Sequence, residues 1–332
     1  MIIQKKIYNP MILTIPDDVV LFTILNPEDK MTRKIVMENY INFYAYKDAV
    51  SGISYFRFED FKNYENLDGV EKCLVPMNLI KENSNSLGFL LELLQTDYVI
   101  SLPIVKKFID FYGQDADGTH VLFVYGADLD NEVFLCKDFD RFDYVDFTVS
   151  FEVMKKSLAM YTAFHFGERE SLLAFRINER GSSVIEYAKV YSGFHKLKQD
   201  FSSRTAGYGL GAIDFYRKEI RGYPQNIHLI RCWYVLANYM RESVKLMKYR
   251  YVVLMEDMAA LSGEFPDGGA TIDNLSRNAD ILFFKTAIMT RKQVIADSDR
   301  ITELSGLVTA CRESFRQVCE YFCRAVSHII KG

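Results

Sequence analysis

His120-Val-Leu-Phe-Val-Tyr125 and Glu132-Val-Phe-Leu-Cys136 are two short runs of strand-forming residues, joined by Gly126-Ala-Asp-Leu-Asp-Asn131. Branched and aromatic side chains suit a pleated, half-buried surface, and a Gly/Asp/Asn link lets the chain reverse. Together they predict a β-hairpin. Upstream lies an acidic, Gly-bounded loop, Gly113-Gln-Asp-Ala-Asp-Gly118, and before it a further β-type run, Asp97–Pro103. Leu87–Leu94 reads as a short helix leading into that run, and Val19–Leu25 is another apolar run of the β-rich part.

Beyond about Phe151 the apolar period changes. Leu229, Trp233, Leu236, Met240, Val244, Met247, Tyr251, Leu254 and Met258 follow one another by three or four residues. That spacing is one face of a long amphipathic helix. A second helix carries Leu304, Val308, Cys311, Phe315, Val318, Phe322 and Ile329, and a third covers about 281–296. Gly263 to Gly269, with Pro266, marks a break between helices, and Gly207-Tyr-Gly-Leu-Gly211 leads into a helix at about Ala212. The expected architecture is α+β: an N-terminal domain over 1–155 with a mixed or antiparallel sheet, then an all-α domain over 156–332.

The composition agrees with a folded chain of about two domains: 332 residues, 49% hydrophobic and 25% charged. Forty Lys and Arg against 44 Asp and Glu exclude a strongly basic nucleic-acid footprint. No apolar run reaches the roughly 20 residues that span a bilayer, and the N-terminus does not have the form of a secretory signal. A cytoplasmic protein is expected, with its six sparse cysteines reduced. Charge is uneven. Residues 97–146 hold eleven acids and four bases, whereas 214–250 hold eight bases and three acids. Both are the composition of ordinary solvated surface. They would also suit an acidic rim near a site and a basic helix face for an acidic partner.

The candidate chemistry gathers at the hairpin. His120 opens one predicted strand and Asp138 closes the other, so both sit at the open end, with Asp140 as the alternative carboxylate. A carboxylate accepting an imidazole N–H fixes the tautomer and orientation that a general base needs. A surface His near an unrelated Asp has the same spacing. For a nucleophile the thiols are Cys73, the only cysteine before His120, and Cys136, on the strand face of Asp138. Each also reads as a small buried apolar residue. Cys319 and Cys323 share a helix face but have no second ligand pair nearby, and core cysteines explain them. Asp115-Ala-Asp117-Gly118 and Asp128-Leu-Asp130 begin like calcium loops without the remaining ligand positions. Gly207–Gly211 lacks the dinucleotide fingerprint, and no P-loop, GxSxG or kinase motif occurs. No metal or cofactor is expected. His165, His195, His228 and His328 read as structural or surface histidines.

Four segments in order carry a resemblance: Leu93-Leu-Gln-Thr-Asp-Tyr-Val99, His120-Val-Leu-Phe-Val-Tyr-Gly-Ala-Asp128, Val133-Phe-Leu-Cys-Lys-Asp-Phe139 and Val149-Ser-Phe-Glu152. The stretch resembles the papain-like N-terminal module of the butirosin biosynthesis protein H type, found in bacterial antibiotic pathways. The helical tail is similar to that behind such modules. The resemblance implies a cysteine-peptidase-like fold used for acyl transfer from a carrier-protein thioester to an amine, as in nonribosomal-peptide-type pathways. It implies His120 as base and Asp138 as its orienting partner. The chain departs from the pattern in one respect. The family's nucleophilic cysteine precedes this region, yet residues 1–72 contain none, and Val19–Leu25 offers only Thr23. Cys73 is left as the candidate thiol.

Three functions follow as expectations: an amide-forming acyltransferase, a non-catalytic papain-like binding protein, and a cysteine peptidase or thioesterase. The partners expected are an acyl or peptidyl carrier protein, met by Arg241, Lys245 and Lys248 on one helix face, and a small amine or acyl substrate. The apolar helical stripes would also suit a homodimer. Neither nucleic acid nor a membrane is expected as partner.

Overall fold

The computed structural model describes residues 1–13, 16–59, 67–113, 116–140, 143–161, 171–178, 180–221, 227–260, 265–293 and 297–331. The fold is α+β with antiparallel sheets, and the chain divides into two compact units. The first comprises 1–26 and 64–182, and the second 27–63 and 183–332.

The first unit is built on a seven-stranded sheet. Its strands are β1 (Ile2–Gln4), β4 (Val70–Pro76), β5 (Val99–Val105), β6 (Thr119–Asp128), β7 (Val133–Asp140), β8 (Asp143–Ser150) and β9 (Ser171–Ile177). The order is β4-β9-β5-β6-β7-β8, and β1 pairs with the end of β6. The predicted hairpin is β6–β7. It reverses at 129–132, where the Asp128 carboxylate accepts from the amides of Asp130 and Asn131 at 3.0 and 3.3 Å. The register slips between Val124 and Gly126. A β-carbon at Gly126 would lie 2.5 Å from the Ile3 carbonyl oxygen, so glycine lets β1 close on β6 there. Helices α3 (Met77–Glu82), α4 (Ser86–Gln95) and α5 (Phe151–Ala159) complete a core with Ile100, Leu102, Ile104, Leu122, Val124, Phe134 and Cys136. Ser150 caps α5 by accepting from the Val153 amide at 3.2 Å.

Val19–Leu25 falls largely in a helix, α1 (Pro16–Ile24), and not in a strand. An apolar run that short has no period to separate the two. Proline at the first helical position and a wholly buried run, Val19 to Phe22, fit the helix.

The second unit interleaves distant segments. Its four-stranded sheet has the order β10 (Asp200–Ser202), β11 (Ala206–Gly209), β2 (Phe43–Lys47), β3 (Ser54–Phe58). Around it are α2 (Lys30–Glu38), α6 (Tyr187–Lys198), α7 (Leu210–Arg221), α8 (Ile227–Ala260), α9 (Gly269–Arg291) and α10 (Ser298–Lys331). One face of the sheet is core: Phe43, Ala45, Phe56 and Phe58 are buried, and Phe43 meets Phe315 of α10 edge to face at 5.5 Å. The other face carries Phe201, Tyr208, Tyr44, Tyr46 and Tyr55, each ring 4.8–5.8 Å from its neighbour along the row. In α8, Leu229, Trp233, Leu236, Met240, Val244, Met247, Leu254 and Met258 are buried, as the stripe predicts.

The expected all-α region after residue 156 therefore contains, among the described residues, three strands. β9 belongs to the first sheet, between β4 and β5, and β10–β11 complete the second. The boundary expected at 155/156 lies inside α5, and each unit is assembled from two stretches of chain. The Gly207–Gly211 segment is split as well: α7 starts at Leu210, directly after β11. Gly209 has φ +58°, and a β-carbon there would press within 2.7 Å of three carbonyl oxygens of residues 196, 197 and 199. The third helix begins earlier than expected, at Gly269. The Gly263–Gly269 break is described only from Phe265 onward, and Asp115 and His165 lie outside the described residues, as does the side chain of His228. Among the described residues no helix is long and apolar enough to cross a membrane.

Candidate functional site

The open end of the β6–β7 hairpin is assembled by three local features. Gly118, at φ +89°, turns the chain into β6, and His120 then faces Ile104 across the β5–β6 ladder. On β7, Asp138 lies on the same sheet face as Cys136, at the rim of the core. Between β5 and β6 the chain makes two single 3-10 turns, Lys106–Phe108 and Asp110–Tyr112, closed by Gly113 at φ +87°. Phe111 stacks on Phe147 of β8 with ring centroids 3.9 Å apart and planes 5° from parallel. That contact ties the second turn to the sheet and delivers Tyr112 to the hairpin end.

There three side chains meet. His120 Nε2 lies 2.7 Å from Asp138 Oδ2, and the Tyr112 hydroxyl donates to the same oxygen. Asp138 Oδ1 accepts from the Phe139 amide at 2.7 Å. The Tyr112 and His120 rings pack edge to face at 5.3 Å. The Asp138 side chain is only 4% exposed, whereas that of His120 is 33% exposed. A buried carboxylate therefore has three polar neighbours, which offsets its desolvation. Burial pushes the Tyr112 phenol well above its ordinary pKa, and the Asp138 charge and hydrogen bond push it further. Tyr112 thus remains a protonated donor across the physiological range.

Geometrically this orients an imidazole. With Nε2 turned to the carboxylate, Nδ1 is the nitrogen left for exchange with a reactant, and among the described residues it makes no hydrogen bond. The arrangement can take up or deliver one proton at a fixed point. Asp140, the alternative carboxylate, is exposed at the far end of β7, paired in register with Asp143.

The two thiols behave differently from the dyad. Cys136 is fully buried, its Sγ 3.8 Å from the Phe134 carbonyl oxygen. Burial, and secondarily the Asp138 charge, push its thiol well above the ordinary value, the opposite of an activated nucleophile. Cys73 lies on β4, at the level of Ala174, Ile100 and Val124 across the sheet. Three strand spacings, roughly 14 Å, and four residues along the strands, roughly 13 Å, separate it from His120. The sheet thus brings Asp138 to His120 and does not bring Cys73. Cys319 is buried and its thiol raised by burial, in keeping with a core residue. Of the other histidines, His195 stacks on Tyr191 of the preceding helical turn, and His328 packs against Phe265.

Tyr112 is the site residue that sequence reasoning missed. Its one signal was an aromatic pair, Phe111-Tyr112, next to a glycine in an otherwise acidic loop. On α8, Arg241 pairs with Asp280 at 3.0 Å and lies over the Phe283 ring at 4.3 Å. Lys245 pairs with Glu242 at 2.8 Å, and Lys248 is exposed. No protein-family model matches this chain, and no curated protein matches it.

Proposed function

We propose that the protein is an acyltransferase of specialised-metabolite biosynthesis, with a papain-like first unit, that forms an amide from a carrier-bound acyl thioester. The observation that carries this reading is the His120–Asp138 pair, with the carboxylate buried, the imidazole partly exposed and Tyr112 bracing the carboxylate. The order of the four segments that resemble the butirosin biosynthesis protein H type supports the same chemistry. Cys73 is remote and Cys136 is a raised, buried thiol, so the transfer runs without an enzyme-bound acyl intermediate on either. The amine nitrogen attacks the thioester carbonyl carbon, and His120 Nδ1 accepts the proton that the nitrogen sheds. The tetrahedral intermediate collapses with cleavage of the carbon–sulfur bond, and the proton passes to the departing thiolate. Asp138 holds the imidazole in orientation and faces the positive charge that forms on it.

The test is amide formation from an acyl thioester on a phosphopantetheine-bearing carrier with a primary amine, followed by mass spectrometry. His120→Ala should cut turnover by about 100-fold or more with the circular dichroism unchanged. Turnover equal to wild type removes the dyad from the reaction.

The absence of a thiol beside His120 among the described residues favours a second reading, a papain-like binding protein for the carrier or a pathway intermediate. On that reading the carrier binds, no amide or free acid forms, and His120→Ala changes affinity alone. Charge reversal at Lys245 and Lys248 tests whether α8 receives the acidic carrier; unchanged affinity rules that surface out.

A further inference from the structure

The first unit is acidic, with 13 Lys and Arg against 22 Asp and Glu, yet four of those 13 cations line one cavity. The cavity measures about 500 Å³ and is open to solvent. Lys5, Lys6, Arg176 and Arg180 border it, together with the carboxylates of Glu71 and Asp97. Its apolar lining includes Ile24 and Ile177, both partly exposed, and Val99 and Phe175, which face each other across β5 and β9 and are buried. That volume suits a small organic molecule, and pockets that hold one combine apolar walls with a few fixed polar groups.

The cations have distinct roles. Arg176 is immobilised: Nε and a terminal nitrogen reach Glu71 Oε2 at 2.8 and 2.6 Å, and the other terminal nitrogen donates to the Thr96 carbonyl at 2.8 Å. Its guanidinium also lies over the Tyr98 ring at 4.7 Å. Lys5 pairs with Asp97. Both carboxylates are thereby matched. Among the described residues Lys6 and Arg180 have no carboxylate partner, and Lys6 has only the Tyr8 ring, at 5.1 Å. Two exposed cations thus stand in excess over an apolar floor, in a unit whose net charge is negative. Such a site attracts a compound with an anionic head and an apolar body.

We propose that this cavity binds a small amphipathic anion, with Lys6 and Arg180 holding a carboxylate or phosphate head and the partly exposed Ile24 and Ile177 side chains meeting the apolar part. It is distinct from the hairpin site. Val99 opens β5, whereas His120 faces Ile104 near its other end, five residues or roughly 17 Å away. The proposal therefore stands independently of the acyl-transfer reading.

The test uses the full chain and three probes of one chain length: octanoate, octyl phosphate and the neutral octanamide, measured by calorimetry or ligand-observed NMR. At least one anion should bind, at least tenfold more tightly than octanamide, and the better of the two identifies the head group. In K6E/R180E that affinity should fall tenfold or more. Both positions are exposed, so the thermal midpoint should hold, and R204E in the other unit should bind as wild type. Three results would each overturn the proposal: no binding of either anion, octanamide binding as well as the anions, or K6E/R180E binding unchanged. Because His120 is absent from this site, His120→Ala must leave the affinity as it is.

Discussion

Asp138 and Arg250 are both charged side chains in otherwise apolar surroundings, one in each unit, and they are satisfied in opposite ways. Arg250 is 0% exposed; its Nε donates to the Val36 carbonyl at 2.9 Å and a terminal nitrogen to the Asn39 carbonyl at 2.6 Å. Those carbonyls belong to the last turn and cap of α2, where the helix has no bonding partners of its own. Both are fixed backbone groups, and the other terminal nitrogen reaches the Met247 sulfur at 3.9 Å. Asp138 is almost as deeply buried, but one of its partners is an imidazole whose side chain is 33% exposed. A buried charge bonded to backbone locks a fold. A buried charge bonded to a partly exposed titratable ring can drive proton transfer.

The largest effect that would break this contrast concerns Asp138→Asn. An amide there keeps the shape but cannot hold the imidazolium, so turnover should fall by about 10²- to 10⁴-fold, with secondary structure retained. The measurement is a rate under saturating thioester and amine. Activity within a few-fold of wild type would place Asp138 with Arg250, as a purely structural charge.

Arg250→Met is the converse. Two carbonyls lose their donor in a dry site, so the second unit should lose about 2–4 kcal/mol in urea unfolding. Chemistry at His120 per folded molecule should be unaffected. A loss well under 1 kcal/mol would show that water reaches those carbonyls.

How far each region was legible follows from sequence separation. The hairpin and α8 were readable because their signals are local: two runs and a turn in one case, a stripe repeated over many turns in the other. The His120–Asp138 pair came with the hairpin, because a hairpin places its two open ends side by side. Cys73 could not be placed, since its strand pairs with β9, about a hundred residues downstream, which puts two strands between β4 and β6. The second sheet was hidden for the same reason. Its β10 and β11 are three and four residues long and lie over 140 residues from β3. Arg250 is one of the eight bases counted over 214–250, and nothing local distinguishes it from the others, because the carbonyls it meets belong to a different part of the chain.

Tyr112→Phe sharpens the comparison at the level of a single donor. Removing a hydroxyl that donates to a buried carboxylate should cost about 1–3 kcal/mol at neutral pH. The pH dependence has a definite sign. The folded phenol titrates above its unfolded value of about 10, so its contribution is complete below pH 10 and is lost as the pH rises beyond it. Wild type should therefore lose stability between pH 9 and 11 more steeply than Tyr112→Phe. The partly buried Tyr144 and Tyr187, also raised by desolvation, contribute to both proteins and cancel in the difference. Parallel slopes would mean that Tyr112 is solvated and does not brace Asp138.

The smallest effects test whether the two regions melt as separate units. Ser150 caps α5 in the first unit, and Asp29 caps α2 in the second by accepting from the Met31 amide at 2.7 Å. Either residue changed to alanine should cost about 1 kcal/mol, the usual worth of an N-cap. Calorimetry reads where that cost falls. If each unit unfolds cooperatively by itself, Ser150→Ala lowers one transition and Asp29→Ala the other, and the His120 and Arg250 sites report on different transitions. If both substitutions lower a single transition equally, the chain unfolds as one body. The contrast between the two buried charges would then be one of chemistry alone, with no separate stability attached to either.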